Sequence, residues 1–174
     1  MRKFFIAVLL VLLSVLPLAA GDYHDVALGF GHQTYKWPEK GISLSYSLSI
    51  GLTERMELDI WGNSELVPRP FGSNLLGAEL SFALMGPRST ASRVAGSGIN
   101  TLLSVGGFYR IDNNGAGPMI AITPLTVGSP ITGHRERILR TGVGYDFVNW
   151  EFVITFSLIS IDYYVRGSWR DYEF

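Results

Sequence analysis

Cysteine is absent from this chain of 174 residues, and charged residues make up only 17% of it. The absence of cysteine excludes a disulfide framework and any metal site with thiolate ligands. Soluble domains usually carry about 25% charged residues, so a chain with this charged fraction and 47% hydrophobic residues is unusually apolar. The formal net charge of −1 provides no basic surface for nucleic acid. We therefore predict no nucleic-acid partner.

A long hydrophobic run is also lacking, and the one run near the N-terminus is too short to span a membrane as a helix. Arg2 and Lys3 precede an apolar run over 4–16, and small residues follow it. Positive, apolar and small residues in this order are typical of a secretory signal peptide, whereas a transmembrane helix needs about 20 apolar residues. We predict a cleaved signal peptide over 1–21 and one mature domain over 22–174.

Alternation of apolar and small polar residues is the main pattern of the predicted mature chain. Over 41–52, isoleucine, leucine or tyrosine occupies every second position, and serine or glycine occupies the others. A period of two predicts a β-strand, and this length suits a tilted strand that crosses a membrane. The predicted strands are 26–31, 41–52, 56–61, 76–84, 103–110, 117–127, 139–147 and 150–158. Turn-rich segments separate them at 33–40, 64–73, 86–98, 112–116 and 128–137.

Eight strands without a helix predict an all-β fold. Because closure removes the two exposed edges of a sheet, we expect a single antiparallel up-and-down transmembrane β-barrel. Ten strands are the alternative, since the eighth predicted strand ends well before residue 174 and an even number is expected. Two prolines, Pro118 and Pro124, predict that the sixth strand is poorly paired, because proline donates no backbone hydrogen bond.

The two faces of such a barrel differ in chemistry, and the sequence favours an apolar exterior. The polar face is mostly serine, glycine and alanine, which suits the crowded lumen of a narrow barrel. An arginine facing lipid near the midplane would cost about 2–4 kcal/mol, so the charges are expected inside. The predicted lumen charges are Glu57, Asp59, Glu79, Arg110, Arg140 and Asp146. An exported soluble barrel of the lipocalin kind, binding an apolar ligand inside, remains the alternative.

The C-terminal residues Tyr172 and Phe174 resemble the aromatic pair at the end of many bacterial outer-membrane β-barrel proteins. The segment 50–58 is similar to a periplasmic hairpin of these proteins. In overall pattern the chain resembles small barrels of the outer-membrane protein W type and the transmembrane domain of outer-membrane protein A. This resemblance implies a cell outer-membrane location, contact with outer-membrane lipids, a monomer, and recognition of Phe174 by the outer-membrane assembly machinery.

Few residues indicate catalysis. None of the three histidines has a partner at metal-site spacing, so we predict no metal, no cofactor and no enzyme activity. The expected function is structural, or a narrow channel for small solutes, hydrophobic ones included. A lipid-modifying esterase is the enzymatic alternative, with His32, Ser43 and Glu39 as a triad. The charged segment 133–137 is expected to be a solvated turn.

Overall fold

The computed structural model describes residues 26–35, 42–53, 55–67, 74–85, 98–129 and 134–166. These residues form one closed barrel of eight antiparallel strands, in which each strand pairs with its neighbours in sequence and β1 pairs with β8. The strands are β1 (Val26–Tyr35), β2 (Ile42–Thr53), β3 (Met56–Val67), β4 (Asn74–Ala83), β5 (Gly98–Arg110), β6 (Ala116–Ser129), β7 (His134–Asp146) and β8 (Glu151–Arg166). The predicted fold, an eight-stranded antiparallel barrel, is confirmed.

The ten-strand alternative is wrong because β8 is longer than predicted and closes the ring. It runs sixteen residues to Arg166, and its second half pairs with β1. Within the described ranges, no helix is long and apolar enough to cross a membrane. The predicted signal peptide (1–21) and the pair Tyr172 and Phe174 lie outside the described residues.

Several strands extend into segments that were predicted as turns. β1 continues to Tyr35, β3 continues to Val67, and β7 begins at His134. The reason is visible in β3, where Ser64 and Glu65 pair with Leu44 and Ser43 of β2. Polar residues occupy both faces here, so the alternation that marks a strand in the sequence stops before the strand itself ends.

The barrel has two distinct ends. β1 begins and β8 ends at the same end, which we call the termini end, together with the tight β2–β3 connection at Arg55. The opposite end, which we call the hairpin end, carries the short β5–β6 connection (111–115) and the β7–β8 connection (147–150).

Three neighbouring strands switch their buried face from odd-numbered to even-numbered residues. At each switch, two consecutive residues are exposed or half-buried. We call these three pairs the doublet row: Pro124-Leu125 on β6, Ile138-Leu139 on β7 and Leu158-Ile159 on β8. The pairs lie side by side, since Leu125 pairs with Ile138 and Ile138 pairs with Ile159. Leu139 has a left-handed backbone with φ of 60°, which is unusual for a branched residue.

The doublet row is bounded by register shifts on both sides. The β5–β6 register shifts between Asn100 and Leu102, and the β1–β8 register shifts between Gly31 and Thr34. Pro124 sits in the first of these irregularities, where the missing ladder bond of a proline is tolerated. β6 pairs with β5 and β7 on either side of Pro124, but Pro124 itself is paired in neither ladder, whereas Pro118 pairs with Gly107. The predicted weakness of the sixth strand is thus seen around Pro124 and not at Pro118.

Candidate functional site

All six charged residues predicted for the lumen have buried side chains in the barrel. Their exposed fractions range from 0% at Asp146 to 8% at Arg140. Burial of charge requires pairing, because an unpaired ion in a low-dielectric interior is very costly. The structure distributes the six residues over the length of the barrel, and each pairs with a different set of partners.

Near the termini end, five charged side chains form what we call the charged layer. It consists of Glu57 and Asp59 of β3, Arg135 and Arg137 of β7, and Asp162 of β8. β3 and β7 are not neighbours in the sheet, so ion pairs between them cross the interior. The charged layer therefore fills the bore of the barrel at this level.

The two arginines of the charged layer make multiple contacts. Arg135 donates to both oxygens of Glu57 at 3.0 Å and to Asp162 Oδ2 at 2.7 Å and 3.1 Å. Arg137 donates from Nε to the same Asp162 oxygen at 2.6 Å and from Nη2 to Asp59 Oδ1 at 2.7 Å. Bidentate pairing of this kind is among the strongest hydrogen bonding available to a side chain. With three carboxylates and two guanidiniums, the formal charge of the layer is −1.

Serines complete the coordination of Asp59. Ser49 donates to Asp59 Oδ1 and Ser81 donates to Asp59 Oδ2, both at 2.5 Å, and Ser81 also bonds Ser104 at 2.7 Å. Arg137 reaches Ser49 at 2.7 Å. Ser49 of β2 and Ser81 of β4, the latter bonded to Ser104 of β5, thus supply small hydroxyl groups that fit around the buried carboxylate of Asp59.

On the hairpin-end side of the charged layer, Arg140 contacts both a buried carboxylate and a buried aromatic ring. It donates to Glu79 Oε1 at 2.5 Å, and its guanidinium carbon lies 5.4 Å from the ring centroid of Trp61. A cation over an indole face is attracted by the ring quadrupole. The indole lies against Gly77, where any Cβ would overlap the ring, so glycine at 77 is required for Trp61 to fit.

Toward the hairpin end, five apolar side chains meet in what we call the apolar layer. They are Trp61, Leu75, Phe108, Met119 and Val153, with exposed fractions of 7% or less. They come from β3, β4, β5, β6 and β8, so this layer also spans the bore. The interior is thus closed by ion pairs at one level and by hydrophobic packing at another.

Beyond the apolar layer, Arg110 forms an ion cluster at the hairpin end. It bonds Glu151 and lies 3.5 Å from Asp112 and 3.6 Å from Asp146. Asp146 also accepts hydrogen bonds from the backbone N–H of Val148 at 2.9 Å, from that of Asn149 and from that of Ala116. Asp146 therefore fixes the β7–β8 connection as well as pairing with Arg110.

A small cavity lies between the charged and apolar layers. Its volume is about 40 Å³, and its lining includes Asp59, Glu79, Arg137, Arg140 and Trp61. Glu79 Oε2 and Trp61 Nε1 have no hydrogen-bond partner within the described part of the chain. A cavity needs about 10–15 Å³ to hold one water, so this space fits a few waters and no larger solute.

The expectation that 133–137 is a solvated turn is wrong for the described residues 134–137. His134–Arg137 belong to β7, and the exposed fractions of Arg135 and Arg137 are 0% and 4%. Alternation extrapolated back from Arg140 places Arg135 and Arg137 on the outer face. The doublet row reverses the buried face between Arg137 and Arg140, so both arginines lie inside. The apolar doublets Ile138-Leu139 and Leu158-Ile159 are the sequence signal that could have revealed Arg135, Arg137 and Asp162 as interior residues.

The residues of the possible esterase triad are not brought together by the strand register. Ser43 is buried, at 1% exposed, and pairs with Gln33, whereas His32 pairs with Leu44. Glu39 lies outside the described residues.

The interior arrangement is suited to closing and stiffening the barrel. In the described ranges, no group of three or more histidine or carboxylate side chains is placed to hold a metal ion. The interactions inside the barrel are ion pairs and hydrophobic packing across the bore. No family model, no curated protein and no solved structure matches this chain.

Proposed function

We propose that this chain is an integral outer-membrane β-barrel protein with a closed interior and a structural role. The observation that carries the proposal is the inverted distribution of side chains over the described residues of the strands and their connections. Nine charged side chains are buried, while 27 large hydrophobic side chains are at least 36% exposed. In a soluble protein the large apolar side chains are mostly buried, and charged residues are mostly exposed and almost never fully buried unless they are paired.

Lipid is the medium that this exterior fits. Phe30, Phe152 and Leu158 are each more than half exposed, and each would gain roughly 1.5–3 kcal/mol on transfer from water to an apolar medium. A closed barrel satisfies the other requirement of the hydrocarbon core, because every strand has two neighbours and no edge is left unpaired.

The outer membrane of a bacterial envelope is the location that the sequence supports. The signal-peptide pattern over 1–21 predicts export, and spanning barrels of this size are typical of outer-membrane proteins. The resemblance of Tyr172 and Phe174 to the terminal aromatic pair of that class supports the same location. Outer-membrane lipids and the assembly machinery are accordingly its expected partners.

A structural role has more support than a channel or a carrier. The charged and apolar layers both cross the bore, and the cavity between them measures about 40 Å³. Ligand pockets are usually about 300–1,000 Å³, so this cavity is far too small to be the ligand site of a soluble lipocalin-like binder. The narrow-channel alternative requires both layers to move, and no contact observed in the barrel favours the esterase alternative.

Heat modifiability of the protein in its own membranes tests the proposal. Envelope membranes are washed with alkaline carbonate, and the pellet is run on cold detergent gels with and without boiling. We expect the protein to stay in the pellet and to migrate faster unboiled, because a closed barrel resists detergent until it is heated. Release by carbonate as a protein that is soluble without detergent would overturn the proposal and support the soluble binder.

A further inference from the structure

The outer face of β7 carries a charged side chain near the termini end. Arg135 and Arg137 point into the bore, at 0% and 4% exposed, so Glu136 between them lies on the outer face, where its side chain is 38% exposed. Its cross-strand neighbours are Val127 on β6 and Ile161 on β8. A carboxylate therefore lies between apolar neighbours on the outside of the barrel.

Glu136 is the only charged side chain on the outer face among the strand residues whose side chains the structure describes. Nine other charged side chains are buried inside the barrel. Glu65 and Glu151 pair with the buried residues Ser43 and Asp146, so they share the inner face. Because an ionisable residue within a membrane span is costly, it indicates a function and calls for a partner.

The position of Glu136 along β7 corresponds to the edge of the hydrocarbon region. From Ile138 to Phe147 the outward residues are apolar except Thr141, over a length of about 30 Å at about 3.3 Å per residue. A strand tilted by about 35–45° projects this length onto about 23 Å, close to the apolar band of roughly 25 Å on a membrane barrel. Glu136 is the next outward residue toward the termini end, so it lies at the level of the lipid headgroups.

Two side chains with hydrogen-bond donors lie on the same face as Glu136. His134 Nε2 is 3.6 Å from Glu136 Oε1, which is too long for a hydrogen bond, and an imidazole balances a carboxylate only while it is protonated. Tyr163 of β8 pairs with His134 in the ladder, its ring centroid lies 5.8 Å from that of the imidazole, and it is 51% exposed. We call Glu136, His134 and Tyr163 the outer acidic site.

We propose that the outer acidic site binds the headgroup of a phospholipid that carries a primary ammonium, with Glu136 accepting from the ammonium and His134 and Tyr163 donating to the phosphate. A primary ammonium donates up to three hydrogen bonds, and its bonds to a carboxylate are strengthened because both groups are charged. The quaternary ammonium of phosphatidylcholine has no N–H, and Glu136 repels an anionic headgroup.

The proposal rests on the proposed function and names the class of lipid that this wall of the barrel selects. A lipid is the partner because the outer acidic site is continuous with the apolar outer face of β7, along which acyl chains would lie. Its negative charge is complementary to the ammonium.

Lipid selectivity beside the outer acidic site tests the proposal. Thr141→Cys, on the outer face of β7, marks the path of the acyl chains of a lipid bound at Glu136, and Leu80→Cys marks the outer face of β4. The chain has no cysteine of its own, so each variant carries one fluorophore. The proteins are reconstituted into phosphatidylcholine vesicles that contain a small, equal fraction of mid-chain nitroxide lipid with an ethanolamine, a choline or a glycerol headgroup.

Quenching by the ethanolamine lipid is expected to exceed quenching by the other two lipids several-fold at Thr141→Cys. At Leu80→Cys, all three lipids should quench equally. Adding Glu136→Gln to Thr141→Cys should abolish the preference, because the amide is uncharged. Adding Asp112→Asn is the matched control, since it removes a carboxylate at the hairpin end, and it should leave the preference unchanged.

Equal quenching by the three lipids at Thr141→Cys, with quenching present at Leu80→Cys, would overturn the inference while the membrane barrel stands, because Glu136 is then hydrated and selects no lipid. A preference for the choline or the glycerol lipid would overturn it too, as would a preference that persists with Glu136→Gln or disappears with Asp112→Asn. If none of the three lipids quenches at Leu80→Cys, the proposed function itself is wrong.

Discussion

The charged layer and the apolar layer both cross the bore, yet they hold it closed through different interactions. In the charged layer, side chains from β3, β7 and β8 meet through ion pairs as short as 2.6 Å. In the apolar layer, Trp61, Leu75, Phe108, Met119 and Val153 meet through van der Waals contact. Ion pairs depend on every partner, because removing one leaves the others buried and unpaired. Truncation of a side chain in the apolar layer costs only the lost burial of the atoms removed and the free energy of the cavity that remains.

The largest effect is expected from removing a guanidinium from the charged layer. Arg137→Met leaves Glu57, Asp59 and Asp162 facing one remaining arginine, and breaking a buried ion pair typically costs about 3–5 kcal/mol. We expect a loss of this size in the free energy of unfolding, measured by urea titration in phosphatidylcholine vesicles. Arg55→Met is the matched control, because Arg55 lies in an exposed turn. A loss for Arg137→Met no larger than that of the control would contradict the role given to the charged layer.

A truncation in the apolar layer is expected to cost slightly less. Phe108 is 5% exposed and packs within the layer, and Phe108→Ala should lower the unfolding free energy by about 3 kcal/mol through lost burial and a new cavity. Phe108→Leu, which keeps most of the volume, should cost under about 1.5 kcal/mol. The same urea titration measures both. Equal losses for the two variants would show that packing at this position is not what matters.

Bilayer conductance of Phe108→Ala tests whether the charged layer and the apolar layer each close the bore. If each layer closes the bore independently, Phe108→Ala should conduct no more than the unchanged protein, because the charged layer still crosses the barrel. A stable pore with Phe108→Ala alone would mean that only the apolar layer closes the interior.

A smaller effect is expected from adding one methyl group. A Cβ on Gly144 would lie 2.6 Å from the Phe108 ring and 2.8 Å from the Pro118 carbonyl oxygen, so Gly144→Ala overpacks the apolar layer and should cost about 1–3 kcal/mol. Gly107→Ala is the control, since its Cβ would meet only the Gly117 carbonyl oxygen, at 3.2 Å. A larger urea-measured loss for Gly107→Ala than for Gly144→Ala would refute this packing.

The smallest effect is expected from neutralising the excess carboxylate of the charged layer. Asp162→Asn leaves two carboxylates for two guanidiniums, so the lost ion pairs are partly offset, and we expect a loss of about 1 kcal/mol, similar to an ordinary hydrogen bond. Asp59→Asn should cost more in the same titration, because Asp59 accepts bonds from Ser49 and Ser81 as well as from Arg137. Both variants leave the same charge balance, so the reverse order would contradict the role given to the serine contacts of Asp59.

Alternation in the sequence predicts the eight strands, whereas the choice of eight over ten depends on the full length of β8 and its pairing with β1. A strand with a strict period of two presents one set of residues to each side, which is why Glu57, Asp59, Glu79 and Arg140 are expected on one face, and these four side chains are buried. Strand ends were missed wherever both faces are polar, as at Ser64 and Glu65.

The sequence prediction missed Arg135, Arg137 and Asp162 of the charged layer, because the doublet row reverses the buried face of β7 and β8. One irregularity between Arg137 and Arg140 moves every earlier residue of β7 to the other face. The same happens on β8, where Ser157 and Asp162 are both buried although one is odd-numbered and the other even-numbered. Contacts such as Arg137 to Asp59 join residues 78 positions apart, and they depend on barrel closure, which local pattern does not describe.

Spin-label accessibility along β8 tests the central claim most directly, namely that the apolar face of the barrel lies in lipid and the charged face lies inside. Single cysteines carrying a nitroxide are placed at consecutive positions, and collision rates with oxygen, which concentrates in lipid, are compared with those of a water-soluble nickel chelate. The positions are Phe152, Val153, Ile154, Thr155, Phe156, Ser157, Leu158, Ile159 and Ser160. The account predicts high oxygen and low nickel accessibility at Phe152, Ile154, Phe156, Leu158 and Ile159. It predicts low accessibility to both reagents at the buried positions Val153, Thr155 and Ser157. High nickel accessibility at the four alternating apolar positions would contradict it, because that face would then lie in water.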